Sequence, residues 1–167
     1  MSKGQLVLNQ QQLKQKIRRI AFEIYENHFR EKEIILAGIG AKGYSVAKLL
    51  ANELEDISSL KPNLVKISLD KEAPSQSEIS LDCDPKKFVN KSIIVVDDVL
   101  NTGRTLAYSL KPFLNSRVHQ LETAVLVNRS HIQFPITANY TGYELSTTIQ
   151  EHIEVTMDKG KMGVYLS

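Results

Sequence analysis

The sequence predicts an α/β protein of three layers, in which a central, mostly parallel sheet lies between helices. Short apolar runs typical of buried strands recur along the chain, and stretches with a helical spacing of apolar residues separate them. Short links between alternating strands and helices favour parallel pairing with helices on both faces. The chain has 167 residues, enough for one domain with a proper core, so we predict a single domain over residues 1–167.

Composition narrows the classes of function. The chain has 21 basic and 19 acidic residues, and a net charge of +2 gives no general case for nucleic-acid binding. Cys83 is the only cysteine, which excludes an internal disulfide and favours a reducing compartment. The neighbouring Asp82 and Asp84 are expected to raise its pKa and make it a poor nucleophile. The sequence shows no charged-then-apolar leader and no long apolar run, so we expect a cytoplasmic protein.

The amino-terminal helix is predicted from its apolar stripe. The first dozen residues are polar, and we expect them to be flexible. A helical stripe then begins, and it comprises Leu13, Ile17, Ile20, Ala21, Ile24 and His28. Basic residues lie mostly off this stripe, at positions 14, 16, 18 and 19. They form either a solvated basic face, which we favour because such faces are common, or a contact surface for phosphate or RNA.

The second strand and the second helix enclose a glycine-rich turn. The run Glu33–Ala37 predicts a buried strand, and it continues into the turn Gly38–Gly43. A helix follows, marked by Val46, Leu49, Leu50 and Leu54. A helix start offers free backbone N–H groups and the positive end of the helix dipole, so this turn can hold anionic oxygens. The alternative is that the glycines only serve tight packing, because a lone glycine-rich turn is a weak signal.

A long polar segment interrupts this pattern after the third predicted strand. Leu64–Leu69 alternates between apolar and polar residues and predicts that strand. Residues 70–90 then show few repeating apolar positions. Loops of this length inside a compact domain are usually functional lids or disordered segments, so we predict a flexible lid or hood here.

The most informative stretch is Ile93–Thr105, which has the sequence IIVVDDVLNTGRT. Its first four residues predict a buried strand that ends at Asp97 and Asp98. The small-residue loop Asn101–Thr105 comes next. A helix then follows, with apolar positions at Leu106, Leu110 and Phe113. Ligands of open α/β sheets bind beyond the carboxyl ends of the strands, so we expect a site at this loop.

The chemistry of this loop predicts a phosphate site next to a cation. Backbone N–H groups, the hydroxyls of Thr102 and Thr105 and the conformational freedom of Gly103 all suit a phosphate. Two acids directly before the loop would repel a phosphate unless a divalent metal or sugar hydroxyls lie between them. The stretch therefore predicts a site for a sugar phosphate that carries Mg²⁺. The alternative, a turn with surface acids, is disfavoured because adjacent acids at a buried strand end are costly without a partner.

The carboxyl-terminal third adds further strands to the sheet. Leu121–Val127 predicts a buried strand that delivers polar residues to the same edge as the acids. Later strands are predicted at 138–145, 153–157 and 163–166, and the last two form a hairpin across 158–161. His131 is either a catalytic acid–base or a solvated hydrogen-bonding residue, and we favour the latter for a loop histidine with no visible partner.

These motifs together resemble a known family. The string VVDDVLNTGRT is similar to the phosphoribosyl-pyrophosphate (PRPP) motif of the type I phosphoribosyltransferases. The segment AGIGAKGYSVAKLLA is similar to the pyrophosphate loop of those enzymes. With RRIAFEIYEN and AVLVNRSHIQFPITANYTG in matching order and spacing, the chain resembles the bifunctional pyrimidine-operon regulator/uracil phosphoribosyltransferase family over most of its length outside the predicted lid.

The resemblance implies a three-layer phosphoribosyltransferase-like fold with a lid. It also implies transfer of ribose 5-phosphate from PRPP to a nucleobase, with release of pyrophosphate. Asp97 and Asp98 would be the catalytic acids, which hold the ribose hydroxyls and Mg²⁺, partly through water. The other contacts would be made to PRPP by Asn101, Thr102, Gly103, Arg104 and Thr105, to pyrophosphate by Ala41, Lys42 and Gly43, and to the base by Val127, Asn128 and Arg129. Relatives are usually dimers or larger, so a homo-oligomer is expected.

The resemblance leaves the acceptor base and a regulatory role open. Purine transferases usually place a third acid where this chain has Asn101, and an amide is no base, which favours a pyrimidine such as uracil. RNA-binding members carry a histidine and an arginine where this chain has Phe22 and Ile132, which offer no hydrogen-bond donors. A PRPP- or nucleotide-sensing RNA-binding regulator is the alternative. A PRPP-binding protein without transfer is a third hypothesis, because Leu69–Glu72 departs from the Tyr-Arg-Asp-Asp pattern of relatives.

Overall fold

The computed structural model describes residues 4–74 and 78–167, and these ranges contain helices, strands and one short 3₁₀ turn at Pro85–Phe88. The helices are α1 Gln10–His28, α2 Gly40–Ile57, α3 Arg104–Ser109 and α4 Lys111–Leu114. The strands are β1 Gln5–Leu8, β2 Glu33–Ile39, β3 Lys61–Ser68, β4 Ser80–Leu81, β5 Ser92–Leu100, β6 Gln120–Asn128, β7 Tyr140–Glu144, β8 Ile153–Thr156 and β9 Gly163–Leu166.

The strands form two sheets. The larger has the order β4-β3-β2-β5-β6-β7, and its pairs are parallel except for β4, which runs antiparallel to β3. The smaller is an antiparallel sheet with the order β1-β9-β8. The central, mostly parallel sheet confirms the predicted α/β fold class. The pairing of β8 with β9 confirms the predicted hairpin, whose turn is closed by the Lys161 N–H donating to the Asp158 carbonyl at 2.9 Å.

Apolar side chains cover both faces of the larger sheet. On one face, α1 and α2 pack against alternate residues of the central strands and against the smaller sheet. On the other face, Leu106, Phe88 and Phe113 close a second cluster, in which the two phenylalanine rings lie 4.9 Å apart. The predicted stripe of α1 is confirmed at every position, since the buried residues of this helix are Leu13, Ile17, Ile20, Ala21, Ile24 and His28. Each fully buried aliphatic side chain stabilises the fold by roughly 1.5–3 kcal/mol.

The prediction of a flexible amino terminus is wrong for the described part of it. Gln5–Leu8 is strand β1, and α1 begins earlier than predicted, at Gln10. A capping box fixes this start: the Gln12 N–H donates to Asn9 Oδ1 at 2.9 Å, and the Asn9 N–H donates to Gln12 Oε1 at 3.0 Å. The partner of β1 is β9, at the far end of the chain, so local polarity could not reveal the strand.

Two predicted boundaries near the site shift. Strand β2 continues to Ile39 and α2 begins at Gly40, so Ala41–Gly43 is the first turn of a helix rather than a loop. The sharp change of direction occurs at Gly40, whose φ of +61° suits glycine. Strand β5 runs on to Leu100, so the two acids lie within the strand and not after it. The helix predicted after the acidic stretch is divided at Leu110 into α3 and α4.

The segment 70–90 is partly attached to the body of the protein. Ser80–Leu81 pairs with β3, and Phe88 is fully buried in the second apolar cluster. Cys83 lies between these anchors, and burial, then the charge of Asp82, raises the pKa of its thiol, in the predicted direction. Residues 75–77, in the middle of the predicted lid, lie outside the described residues. None of the helices within the described ranges is long and apolar enough to cross a membrane.

Candidate active site

The predicted site elements meet at one edge of the larger sheet. Parallel pairing aligns Gly38 of β2 with Val96 of β5, and Leu100 of β5 with Asn128 of β6. The carboxyl ends of these strands therefore point the same way. The start of α2 and the loop 101–105 follow directly from those ends, and the two acids lie within β5 close to its carboxyl end. This is the edge at which ligands of open α/β sheets bind.

The two acids of β5 are buried and share one cation. The side chains of Asp97 and Asp98 are 3% and 10% exposed, whereas that of Lys71 is 42% exposed. Lys71 Nζ lies 3.0 Å from Asp97 Oδ1 and 3.5 Å from Asp98 Oδ1. The Asp98 N–H also donates to Asp97 Oδ1 at 2.9 Å. Successive side chains of a strand normally point to opposite faces, so the shared contact shows that both carboxylates reach one point.

The electrostatics of this pair favour any added positive charge. Burial, and next the adjacent carboxylate of Asp98, raise the pKa of Asp97 well above its usual range, while Lys71 lowers it. Burial lowers the pKa of Lys71, but the two carboxylates together outweigh it, so the pKa of the ammonium is raised. Uncompensated charge at a buried site is costly. The Lys71 ammonium supplies positive charge at the point where the two carboxylates meet.

The loop after β5 forms a cradle beside the acids. Thr102 anchors it, because its carbonyl accepts from the N–H groups of Gln133 and Phe134 at 2.8 and 3.1 Å. Gly103 has a φ of +86°, and a Cβ there would lie 2.4 Å from Cγ2 of Ile136, so a larger residue does not fit. A cavity of about 220 Å³ lies over this loop, and its lining includes Lys71, Asp97, Asn101, Thr102, Gly103, Arg104 and Thr105. All five predicted PRPP-binding residues thus line one cavity with an acid and the lysine.

The first turn of α2 packs directly against the acids. A Cβ on Gly43 would lie 2.8 Å from the Val96 carbonyl oxygen and 3.2 Å from Asp97 Oδ1, so the absence of a side chain permits this approach. Ala41 and Lys42 are exposed beside it, where the first N–H groups of a helix have no partner within the helix. They line a separate cavity of about 270 Å³ with residues 154–158 at the end of β8. The structure therefore brings Gly43 to the acids, while Ala41 and Lys42 face the neighbouring cavity.

The residues predicted to bind the base lie at the end of β6. Val127 is fully buried in the core between the sheet and the helices. The side chain of Asn128 accepts from the Ser130 N–H at 2.9 Å. Arg129 Nε donates to Thr147 Oγ1 at 3.0 Å, and its guanidinium also contacts the carbonyls of Thr148 and Glu151. These residues lie at the predicted edge of the sheet. However, the Val127 side chain packs in the core, and the Arg129 side chain is hydrogen-bonded to other residues of the protein.

Other polar residues singled out in the sequence have structural partners. His131 Nε2 lies 2.7 Å from the Thr147 carbonyl oxygen, which agrees with the favoured role as a hydrogen-bonding residue. Arg18 pairs with Glu53 at 2.6 Å and with Asp56 at 2.9 Å. Arg19 pairs with Glu23 and also donates to main-chain carbonyls after the start of β7. Because Arg18 and Arg19 are paired with acids, these contacts favour a solvated basic face over a contact surface for phosphate or RNA.

Lys71 is the site residue that sequence reasoning missed. It lies in the predicted lid, where no residue was assigned a role. A signal existed, because two adjacent buried acids require a countercharge. The sequence alone offered many lysines for that role and no way to choose among them. The choice depends on where residues 70–74 cross the sheet edge, which only the tertiary structure specifies.

The donor set fits a magnesium ion that a substrate carries. Among the described residues, 4–74 and 78–167, there is no group of three or more side chains of the types that hold a metal on their own. Asp97 and Asp98 supply two carboxylates, and a lysine ammonium already lies between them as a stand-in cation. Magnesium is usually held in enzymes by one or two carboxylates, water and substrate phosphates. These two acids are therefore the residues that would hold it.

Comparisons with known proteins agree with this architecture. The family model for the phosphoribosyl transferase domain matches residues 5–159. A bifunctional protein PyrR from Bacillus pumilus (strain SAFR-032) is 33% identical over 168 residues, which cover 95% of this chain and 93% of that protein. A bifunctional protein PyrR from Clostridium novyi (strain NT) is 34% identical over 164 residues, with 92% and 90% covered.

Solved structures show the same fold at low identity. The hypoxanthine phosphoribosyltransferase of Trypanosoma cruzi superposes with a TM-score of 0.80 at 15% identity, and covers 98% of this chain and 97% of its own. A hypoxanthine-guanine phosphoribosyltransferase from Bacillus anthracis gives a TM-score of 0.72 at 19% identity, with 86% and 83% covered. At these identities the likeness concerns the fold.

Proposed function

The chain belongs to the phosphoribosyl transferase domain family, and from this premise we propose that it transfers ribose 5-phosphate from PRPP to uracil and releases pyrophosphate. The observation that carries the proposal is the cavity in which the buried acid Asp97, the cation Lys71 and the loop 101–105 lie together. An anion cradle next to paired carboxylates suits a ligand with both phosphates and hydroxyls. PRPP is such a ligand.

The acids have the central role in the proposed reaction. Asp97 and Asp98 would accept hydrogen bonds from the ribose hydroxyls and would hold the magnesium ion, partly through water. The bound ion would offset the negative charge of the pyrophosphate group. The reacting sugar carbon passes through a state with oxocarbenium character, as in other glycosyl transfers. Two fixed carboxylates near the ring favour that positive charge, and their burial strengthens the effect.

Two phosphate-binding elements orient the substrate on either side of the acids. We assign the 5-phosphate to Asn101, Thr102, Gly103, Arg104 and Thr105. We assign the pyrophosphate to Ala41, Lys42 and Gly43 at the start of α2, where free N–H groups and the Lys42 ammonium face outward. When both ends of PRPP are held, its reacting carbon is fixed in position. The substrate then loses its translational and rotational entropy on binding and not in the chemical step. We also propose that residues 70–90 serve as a lid over this centre, within a single domain 1–167.

The base is assigned to the end of β6. Val127, Asn128 and Arg129 lie at the edge, but the side chains of Val127 and Arg129 are engaged elsewhere. We therefore expect Val127 to contact the base through its main chain. Arg129 would act by holding the segment 147–151 beside the end of β6. Uracil is favoured because Asn101 stands where purine transferases usually place an acid that handles the ring proton of a purine, and an amide cannot accept that proton. The fold similarity to purine transferases makes a purine the competing acceptor.

Product formation tests this proposal. The protein would be incubated with PRPP, Mg²⁺ and one base at a time: uracil, hypoxanthine, guanine, xanthine, adenine or orotate. We expect UMP from uracil and no other nucleotide. A purine nucleotide would keep the transfer reaction and overturn the acceptor. No product with any base, although PRPP still binds, would overturn the transferase proposal.

A regulatory RNA-binding role is the second candidate. The similarity at 33% and 34% identity to proteins named bifunctional favours it. The pairing of Arg18 and Arg19 with acids, and the exposed Phe22 and Ile132 in place of donors, disfavour it. Binding to a structured pyrimidine-operon leader RNA, weakening steeply as salt rises, would support this role.

We propose a homo-oligomer, because Phe22 and Phe29 are large apolar side chains exposed on and beside α1. Light scattering after size-exclusion chromatography measures this directly. We also propose a cytoplasmic location, because one half-buried cysteine suits a reducing compartment.

A further inference from the structure

Lys71 has a contact that the proposed reaction does not use. Its ammonium lies 3.0 Å from Asp97 and 3.5 Å from Asp98, at the point where the two carboxylates converge. The same carboxylates are the ones assigned above to magnesium and the ribose hydroxyls. A lysine ammonium and a magnesium ion cannot share that point, because both are positive and both need the same oxygens.

The Lys71 side chain crosses the candidate site on its way to the two acids. Lys71 follows strand β3 by only a few residues, and its Cε lies 3.8 Å from the position of a Cβ built on Gly40. The Lys71 side chain therefore passes the start of α2, and its ammonium reaches the two acids. It also lines the cavity over the loop 101–105. Lys71 thus lies between the two elements that we assign to the phosphates.

Burial and exposure together make the contact strong but reversible. The carboxylates are almost fully buried, so leaving them without a cation is unfavourable. The lysine side chain is half exposed and belongs to a segment outside the regular elements, so it can leave toward solvent without disrupting the core. A divalent ion that arrives with PRPP brings more charge and additional phosphate ligands.

We propose that Lys71 is a resident cation that fills the acidic pair in the ligand-free protein and is displaced when metal-bound PRPP arrives. Lys71 thereby opposes binding of the free metal and keeps the buried acids compensated between turnovers. Its departure also breaks the contact between this segment and the two acids of β5. The inference rests on the proposed function to the extent that the metal occupies Asp97 and Asp98.

Metal binding to the ligand-free protein tests the displacement. Free Mn²⁺ would be measured by its electron paramagnetic resonance signal during titration of the full chain, without PRPP. We expect Lys71→Met to bind Mn²⁺ roughly tenfold more tightly than the wild type, because the competing cation is gone. Lys71→Arg keeps the charge and should bind as weakly as the wild type. Lys48→Met removes an exposed lysine of α2 that lies over Tyr44, and should leave Mn²⁺ binding unchanged.

Thermal unfolding provides a second readout. Without metal, Lys71→Met leaves two buried acids uncompensated, so its Tm should fall below that of Lys48→Met. Added Mg²⁺ should recover the Tm of Lys71→Met and change that of the wild type less. Equal Mn²⁺ affinity in Lys71→Met and the wild type, or an equal gain in Lys48→Met, would overturn the inference.

The outcome is separable from that of the proposed function. If the wild type forms UMP and Lys71→Met binds Mn²⁺ no better, only the role of Lys71 is wrong. If Lys71→Met gains Mn²⁺ affinity and no base yields product, the acidic pair is still a metal site for which Lys71 competes. In that case only the transferase proposal is wrong.

Discussion

At the level of single residues, the candidate site depends on how two adjacent carboxylates are accommodated within the buried strand β5. Asp97 and Asp98 were identified in the sequence because acids after an apolar run need a partner. The structure adds that both reach one cation, and that the cation comes from the segment after β3.

Replacing Asp98 by asparagine should lower turnover without unfolding the protein. The amide keeps the size of the side chain but loses the negative charge that we assign to the ribose hydroxyls and the metal. We expect kcat/KM for UMP formation to fall by roughly a hundredfold or more, with an unchanged circular dichroism spectrum. Glu55→Gln makes the same chemical change at an exposed position of α2 and should have no effect. Full activity in Asp98→Asn would contradict the assigned role.

Replacing Gly43 by alanine should reduce both stability and activity. Alanine usually strengthens a helix relative to glycine, by about 1 kcal/mol. Here its Cβ would lie 2.8 Å from the Val96 carbonyl oxygen, so α2 must move away from β5. We expect a loss of roughly 1–3 kcal/mol in the free energy of unfolding, measured by urea denaturation, and a raised KM for PRPP. Asn52→Ala, at an exposed position of the same helix, should be neutral; a stabilised Gly43→Ala would show that the contact is not restrictive.

At the scale of elements, a buried polar network joins the end of α1 to three strands. His28 Nε2 lies 2.5 Å from Glu122 of β6, and its Nδ1 contacts Glu31. Tyr140 of β7 donates to the other oxygen of Glu122 at 2.9 Å, and Asn27 donates to Tyr140 at 3.0 Å. Ser92 of β5 donates to Glu31. The network lies at the amino ends of the strands, opposite the candidate site.

The network gives stability a defined dependence on pH. Burial opposes the charged form of His28, but its hydrogen bonds to Glu122 and Glu31 outweigh burial, so the pKa of His28 is raised above its usual 6.5. A raised pKa means that the folded state holds the proton more tightly than the unfolded state. The stabilisation is therefore fully present below pH 6.5 and is lost as pH rises through the folded-state pKa.

A histidine variant checks this dependence. His28→Gln should lower the free energy of unfolding by roughly 1–3 kcal/mol at pH 6, because charged partners lose their donor. The difference from the wild type should shrink as pH rises toward 9, as measured by urea denaturation at several pH values. His119→Gln, at an exposed position, is the matched control and should follow the wild type. A difference that grows with pH would contradict the sign of the shift.

At the scale of the whole molecule, the fold depends on the pairing of the two ends of the chain. Strand β1 pairs with β9, and the smaller sheet packs against α1 and the core. In β1, Leu8 is 4% exposed, whereas Leu6 is 52% exposed. The two leucines of this one strand therefore differ in burial and not in type.

These two leucines provide a matched test of that pairing. Leu8→Ala should lower the free energy of unfolding by about 2–5 kcal/mol, because it removes buried apolar surface and leaves a cavity. Leu6→Ala should change it by less than about 0.5 kcal/mol, as is usual for exposed positions. Thermal or urea unfolding of both variants measures the contrast. Equal effects of the two substitutions would show that β1 is not integrated into the core.

Features that depend on local pattern are predictable from the amino-acid sequence. The period of the apolar residues specified α1 and its buried face, and the β-branched runs specified the strands of the central sheet. The ordered string of acids, threonines and glycine identified the loop 101–105 and the family. Such features were predictable because each residue's neighbours in the chain are also its neighbours in the element.

Features that join distant parts of the chain depend on the tertiary fold. It made a strand of Gln5–Leu8 through its pairing with β9, and it brought Lys71 to Asp97 and Asp98. It also turned Arg129 toward Thr147 and the end of the loop before β8. Each of these contacts joins residues far apart in sequence, and their energies depend on burial and distance, which no local pattern contains.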